Sequence, residues 1–221
     1  MALPHPVDGA APGYFGVYPA IVTDLVDDDG LGRVEVRFPW LGVDGDRDVR
    51  AWATLCSPYA DGEQGLLAVP EVGSQVVVAF EAGNLRRPYV IGAAWNGRAA
   101  LPHPPERAND VRLLRTRRDS RLEFDDAAAG GAVRLTMANG HRVELDEAGR
   151  EVTITHASGA VVRLTDTSVE VRANASVEVN APTVKVDACV STFSGLVKVG
   201  TLIAEQMVMS PAYTPGAGNI W

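Results

Sequence analysis

Hydrophobic and polar residues alternate with a period of two along most of this chain. That period marks extended backbone with one apolar face. In the front half the runs are short. They cover 18–26, 33–38, 50–56, 66–69, 75–81 and 89–95. Val34, Val36 and Phe38 fall on one side of their run, and Trp52, Thr54 and Cys56 on one side of theirs. Turn-forming residues separate the runs, among them Asp27-Asp28-Asp29-Gly30, Glu71-Val72-Gly73 and the polar stretch 83–88. No helix of ordinary length fits between them. Five or six short strands over about 80 residues predict a small closed β-barrel.

Beyond residue 121 the runs shorten and repeat. They are centred on Leu122–Phe124, Val133–Met137, Val143–Leu145, Val152–Ile154 and Val161–Leu164. Asn139-Gly140 and Ser158-Gly159 punctuate them, and Asn-Gly is a strong signal for a two-residue hairpin turn. Repeats about ten residues apart predict a β-meander or β-solenoid. The run 169–194 then alternates without glycine. Fully extended, its roughly 26 residues would span about 85 Å, far beyond an ordinary strand. Apolar positions are odd up to Ala181 and even from Val184, so Pro182 is expected at a bulge or corner. A lone strand of this length leaves its backbone groups and apolar face without partners. Further copies of the chain could supply both. The run therefore predicts an intertwined, oligomeric β-shaft.

Composition supports a mechanical reading. The chain has 221 residues, 46% hydrophobic but only 6% aromatic. All four tryptophans lie at 40, 52, 95 and 221, so the back half must build its core from small side chains, as a thin rod does. The net charge of −8 disfavours nucleic acid and anionic membrane as partners. Within 15–98 acidic residues outnumber arginines, against a phosphate-tracking groove. The N-terminus shows no charged start or apolar core of a secretion signal, and no stretch is long enough for a membrane helix. Cys56 and Cys189 lack a Cys or His at ligand spacing and are expected as two buried thiols. Arg107, Arg112, Arg115, Arg117, Arg118 and Arg121 form a basic run with no interleaved aromatics, expected as a solvated neck pairing with acidic loops. The carboxylates at Asp27, Asp28, Asp29, Glu123, Asp125 and Asp126 are candidates for general acid–base work. Their turn and strand-face positions fit solvation better, and no nucleophile or metalloprotease motif accompanies them.

The front half resembles the OB domain of phage baseplate assembly protein V and of the valine-glycine repeat spike of type VI secretion. The residues that carry the resemblance are Tyr14-Phe-Gly-Val-Tyr-Pro-Ala-Ile-Val-Thr-Asp24, Leu31-Gly-Arg-Val-Glu-Val-Arg-Phe-Pro39 and Ala51-Trp-Ala-Thr-Leu-Cys-Ser-Pro-Tyr-Ala60. They continue with Gly65-Leu-Leu-Ala-Val-Pro-Glu-Val-Gly-Ser-Gln-Val-Val-Val-Ala-Phe-Glu81 and Gly83-Asn-Leu-Arg-Arg-Pro-Tyr-Val-Ile-Gly-Ala-Ala-Trp95. The ending Tyr213-Thr-Pro-Gly-Ala-Gly-Asn-Ile-Trp221 is similar to spikes of extracellular phage-tail-like contractile injection particles.

The resemblance implies an all-β chain: an N-terminal OB-fold barrel followed by a C-terminal intertwined trimeric β-helix. Its parts would be an arm (1–14), the barrel (15–98), a neck (99–121), a shaft (122–209) and a tip segment (210–221). Gly73 and Gly83 are expected at tight turns, Trp52, Phe80 and Trp95 inside the barrel, and Pro39 and Pro88 at strand ends. The implied role is a homotrimeric membrane-puncturing needle, with no catalytic, cofactor-binding or metal-binding residues and no cofactor. Implied partners are tail-tube hub and baseplate proteins at the barrel end and a PAAR-type tip protein at the other end. Effector cargo and a transient contact with the target envelope complete the set, with no nucleic acid. Assembly in the bacterial cytoplasm, into a particle that some systems release, follows from the same resemblance. The neck is too short for the lysozyme domain that some relatives insert. The histidines at 5, 103, 141 and 156 do not form the His-x-His tip motif of other spikes. An OB carbohydrate- or nucleic-acid-binding module and a cell-wall-degrading spike enzyme are the alternative readings.

Overall fold

The computed structural model describes residues 13–44 and 47–210. Most of the expected arm and nearly all of the expected tip segment, with Tyr213 and Trp221, lie outside the described residues. The chain divides after Asn174 into two units.

The first unit opens with β1 (Val17–Asp24), β2 (Arg33–Arg37), the two-residue pair β3 (Val43–Asp44) and β4 (Arg47–Asp48), and β5 (Arg50–Leu55). There follow the small hairpin β6 (Ala60–Asp61) and β7 (Gln64–Gly65), then β8 (Gln75–Phe80) and β9 (Pro88–Ala93). Five of these close into a barrel in the order β1-β2-β5-β9-β8. Only the β5–β9 seam is parallel. Alternation decides what faces inward. Ala20, Val22, Val34, Val36, Ala53, Val76, Val78 and Val90 are buried to within 2% and fill the bore, with Phe38 and Phe80 at its end. Tyr14, Tyr18 and Trp40 cap that aromatic end, with Tyr18 and Trp40 stacked 4.7 Å apart and the Trp40 Nε1–H donating to the Pro19 carbonyl.

Three expectations for the barrel are corrected. Trp95 is 65% exposed and lies outside the barrel. Trp52 lies on the outer side of β5, because its neighbour Ala53 takes the inward position, and the Arg33 guanidinium sits 5.8 Å from its ring. The run 66–69 forms no strand. Leu67 is 83% exposed there, and the pairing falls just upstream in β6 and β7. Gly73 and Gly83 do occupy turns with positive φ.

A second sheet completes the unit: β10 (Val111–Arg115), β11 (Arg121–Asp125), β12 (Ala132–Thr136), β13 (Arg142–Asp146), β14 (Glu151–Thr155), β15 (Val161–Leu164) and β16 (Val169–Arg172). The seven strands pair antiparallel in strict chain order, an uninterrupted meander. Its first strand lies inside the stretch expected as neck. Alternating Val111, Leu113 and Arg115 carry too few apolar residues to announce it. Asn139-Gly140 is not a two-residue turn. Met137 N–H donates to the His141 carbonyl and Gly140 N–H to the Met137 carbonyl, closing a three-residue loop with Gly140 at φ +93°. The turns 116–120 and 156–160 repeat that pattern, with Asp119 and Gly159 at the positive-φ position.

The second unit carries no strand in its described residues, and every residue from 175 to 210 is exposed. The run 169–194 is expected to lack a partner strand within its own chain, and past Arg172 it has none among the described residues. Only Val169–Arg172 joins a ladder, and the chain then bends at 174–175, at Pro182, at Cys189 and at 194–195. Asn174 anchors the first bend through its side-chain amide, which donates to the Ser158 carbonyl.

Candidate functional site

Register places every meander residue on one of two faces. On one face, cross-strand partners form the row Arg112, Phe124, Val133, Leu145, Val152, Leu164 and Val169. A second row on the same face is Leu114, Leu122, Leu135, Val143, Ile154, Val162 and Val171. All but Arg112 are apolar, and Arg112 is turned to Asp126 by a 2.9 Å ion pair. Among the described residues nothing covers this face. Phe124, Leu135, Leu145 and Ile154 remain 45–49% exposed. Ala132 is the only buried hydrophobic residue of the sheet. A contiguous apolar patch of this extent marks a contact surface. Each such side chain contributes about 1.5–3 kcal/mol when fully removed from water.

The opposite face is an ion-pair ladder. Arg134 donates to Glu123, Asp125 and Glu144, each at 2.9 Å, and Arg163 pairs with Glu151. The Arg134 guanidinium holds the Asp125 carboxyl below its usual range. Such cross-strand pairs favour this register and keep the face wet.

Five of the six candidate carboxylates, all but Asp28, pair with arginine side chains. Asp27 accepts two hydrogen bonds from Arg33, at 2.9 and 2.6 Å, and others from the Leu31 and Asp29 amides. The Arg33 guanidinium beside Asp27 holds its carboxyl well below the usual range. Asp29 also binds Arg33, and Asp126 binds Arg112. Where a shift is resolved among these carboxylates, at Asp27 and Asp125, it runs downward. Cys56 and Cys189 are both exposed, against the expectation of buried thiols. Thr54 and Cys56 share the outer parity of Trp52, which explains the first of them. The basic run is paired largely within the chain: Arg115 and Arg121 with Asp119, Arg112 with Asp126, and Arg117 with Glu71 of the barrel loop. His141 and His156 lie in neighbouring turns with ring centres 4.3 Å apart. Among the described residues no group of three or more His, Cys, Asp or Glu side chains could hold a metal ion.

The apolar face was hidden in the sequence by the shortness of its strands. Leu145 or Val152 alone suggests half-buried sheet. Only the register shows that all the apolar positions from β10 to β16 line up on one uncovered surface.

Comparison with known proteins places both parts. Residues 18–95 match the type VI secretion system and phage-baseplate injector OB domain, and 111–191 match the phage baseplate V C-terminal trimerisation domain. The type VI secretion system spike protein VgrG5 of Pseudomonas aeruginosa is 28% identical over 158 residues, which is 69% of this chain and 18% of the relative. Spike protein VgrG3 of Vibrio cholerae is 26% identical over 113 residues, 48% of this chain and 11% of the relative. The actin cross-linking toxin VgrG1 of Vibrio cholerae is 26% identical over 106 residues, 45% of this chain and 10% of the toxin. The chain thus spans less than a fifth of the length of each of these relatives.

Proposed function

We propose that this chain, which belongs to the phage baseplate V family of injector spikes, is the central spike of a contractile injection machine. Three copies pack their apolar sheet faces around one axis. The barrels form the base, seated on the tail-tube hub and baseplate. The sheets from Val111 and the run 175–209 form the shaft, in which the runs of the three chains wind around one another. The segment 210–221 receives a PAAR-type tip protein, and effector cargo rides with that tip. Sheath contraction drives the needle through a target envelope. The chain acts as a mechanical part and performs no chemistry. It is assembled in the bacterial cytoplasm and leaves the cell with the particle where the particle is released.

One observation carries this reading: a seven-stranded sheet with one face apolar but for Arg112, and no core of its own. A lone sheet of that kind is unstable in water until another surface covers it. The trimerisation-domain match over 111–191 supports further copies of this chain as the cover. The exposed run after Asn174 points the same way, since its backbone finds no ladder among the described residues.

The test is to epitope-tag the barrel loop at 62 and image particles from the producing bacterium. Label at the baseplate end of the tube, together with loss of intact baseplates when the gene is deleted, is the expected result. Complete, injection-competent particles without this chain would contradict it.

A further inference from the structure

His141 and His156 stand side by side on the apolar face of the meander. They lie one register step beyond the pair Arg142 and Thr155, so alternation puts both on the face of Val143 and Ile154, at its turn end. Their ring centres are 4.3 Å apart. In a single chain His141 is half-buried and His156 exposed. Hydrogen bonds fix the form of both rings. Ala157 N–H donates to the His141 Nδ1 at 3.2 Å, and Ser158 N–H to the His156 Nδ1 at 3.1 Å. The Ser158 hydroxyl also lies 2.8 Å from the His156 Nδ1. A backbone amide can only donate, so each Nδ1 is bare and each neutral ring carries its proton on Nε2. A metal at Nε2 would need the proton on Nδ1, the form that the two amides exclude. Both bonds hold one turn, 156–160. That turn also holds the chain's exit from the sheet, because the Ser158 carbonyl accepts a hydrogen bond from the Asn174 side-chain amide. A second proton on either ring has to go to Nδ1, where it displaces the amide. Two protonated rings also set like charges side by side. No free carboxylate answers them. The adjoining register rank brings Arg115, Arg121, Arg142 and Arg172. The carboxylates beside these arginines, Asp119, Glu144 and Glu170, are already bound to them. The turn 116–120 adds only the further cations Arg117 and Arg118. Among the described residues neither imidazole has an ion-pair partner.

We propose that His141 and His156 form a proton-sensitive joint where the chain leaves the sheet. While both rings are neutral, the turn 156–160 and its hold on Asn174 are fixed. Protonation of both frees the turn and releases Asn174. Acid therefore weakens the joint as pH falls through histidine's ordinary range, about pH 6.5. The consequence for the assembly rests on the three-copy reading above. Copies packed face to face cover the pair, so each protonated copy puts two imidazolium charges on a surface removed from water. Acid then loosens the assembly at the turn end of its sheets first. The barrel, whose core contains no histidine, keeps its fold.

The test compares the full-length protein with the double variant His141→Asn, His156→Asn. The asparagine side-chain oxygens stand near the two Nδ1 positions, accept from the same amides and take up no proton. Thermal melting and solution mass are read at about pH 7.5 and about pH 5.5, on either side of histidine's ordinary range. The wild type should lose several degrees of melting temperature on acidification, and the double variant markedly less. His103→Asn, a change away from the joint, should follow the wild type. Hydrogen exchange over 156–160, corrected for the intrinsic effect of pH, should rise on acidification in the wild type and not in the double variant. An equal pH response in wild type and double variant would overturn the joint. So would unchanged protection of 156–160 in the acidified wild type, a readout that needs no variant to fold. A wild type that is monomeric at the higher pH would instead overturn the three-copy reading, and the exchange measurement would still decide the joint.

Discussion

Asp27 shows how much of the barrel's local order hangs on one side chain. Its carboxylate is 7% exposed and ties the β1–β2 turn to Arg33, whose guanidinium in turn lies over Trp52. Its ionisation in the folded protein lies below that in the unfolded chain, chiefly because of the Arg33 hydrogen bonds. The stability it contributes is therefore complete above the ordinary carboxylate range of about pH 4 and is lost as pH falls below it. Asp27→Asn removes this contribution. The melting-temperature gap between wild type and Asp27→Asn should be widest above about pH 5 and narrow steadily toward pH 2. A gap independent of pH would remove Asp27 from this role. At this scale the sequence was legible where parity alone decided the outcome. Val34, Val36, Phe38 and Phe80 are buried as their alternation requires. The expectation failed at Trp52 and Trp95, which the family resemblance had implied lie inside the barrel. Parity put Ala53 inside in place of Trp52, and Trp95 lies just past the last barrel strand.

At the scale of elements, the meander was readable as short alternating strands, but its extent was not. β10 carries three arginine-flanked apolar residues, and β16 looked like the start of a much longer strand. The distinction rests on partners. Val169–Arg172 finds β15, whereas the described residues beyond Arg172 find no ladder and the chain bends at Asn174, which is held to the β14–β15 turn. The expected corner at Pro182 coincides with a bend. The apolar face yields a direct prediction. Leu145→Asp places a carboxylate mid-face, beside Val133 and Val152. In an assembled protein that buries one unpaired charge per copy, a penalty of several kcal/mol each. Association should be abolished at micromolar concentration by analytical ultracentrifugation, while the barrel, which shares no core residue with this face, keeps its fold. Leu145→Asp assemblies of normal mass and stability would show that this face is not the interface.

At the scale of the whole molecule, the parts agree in pointing outward from the single chain. The barrel has its own core. The sheet has a face without one, and the run after Asn174 has neither core nor ladder among its described residues. The sequence foretold the need for further copies from the unpaired run alone. It could not show that the larger apolar surface belongs to the preceding sheet, because that surface exists only once seven short strands come into register. Both features make the same demand, and one quantity answers it: the mass of the full-length protein in solution at micromolar concentration. The account predicts three times the chain mass of 23.4 kDa, held without dissociation on dilution. A species at 23.4 kDa, stable and soluble with its sheet face open to water, would contradict it.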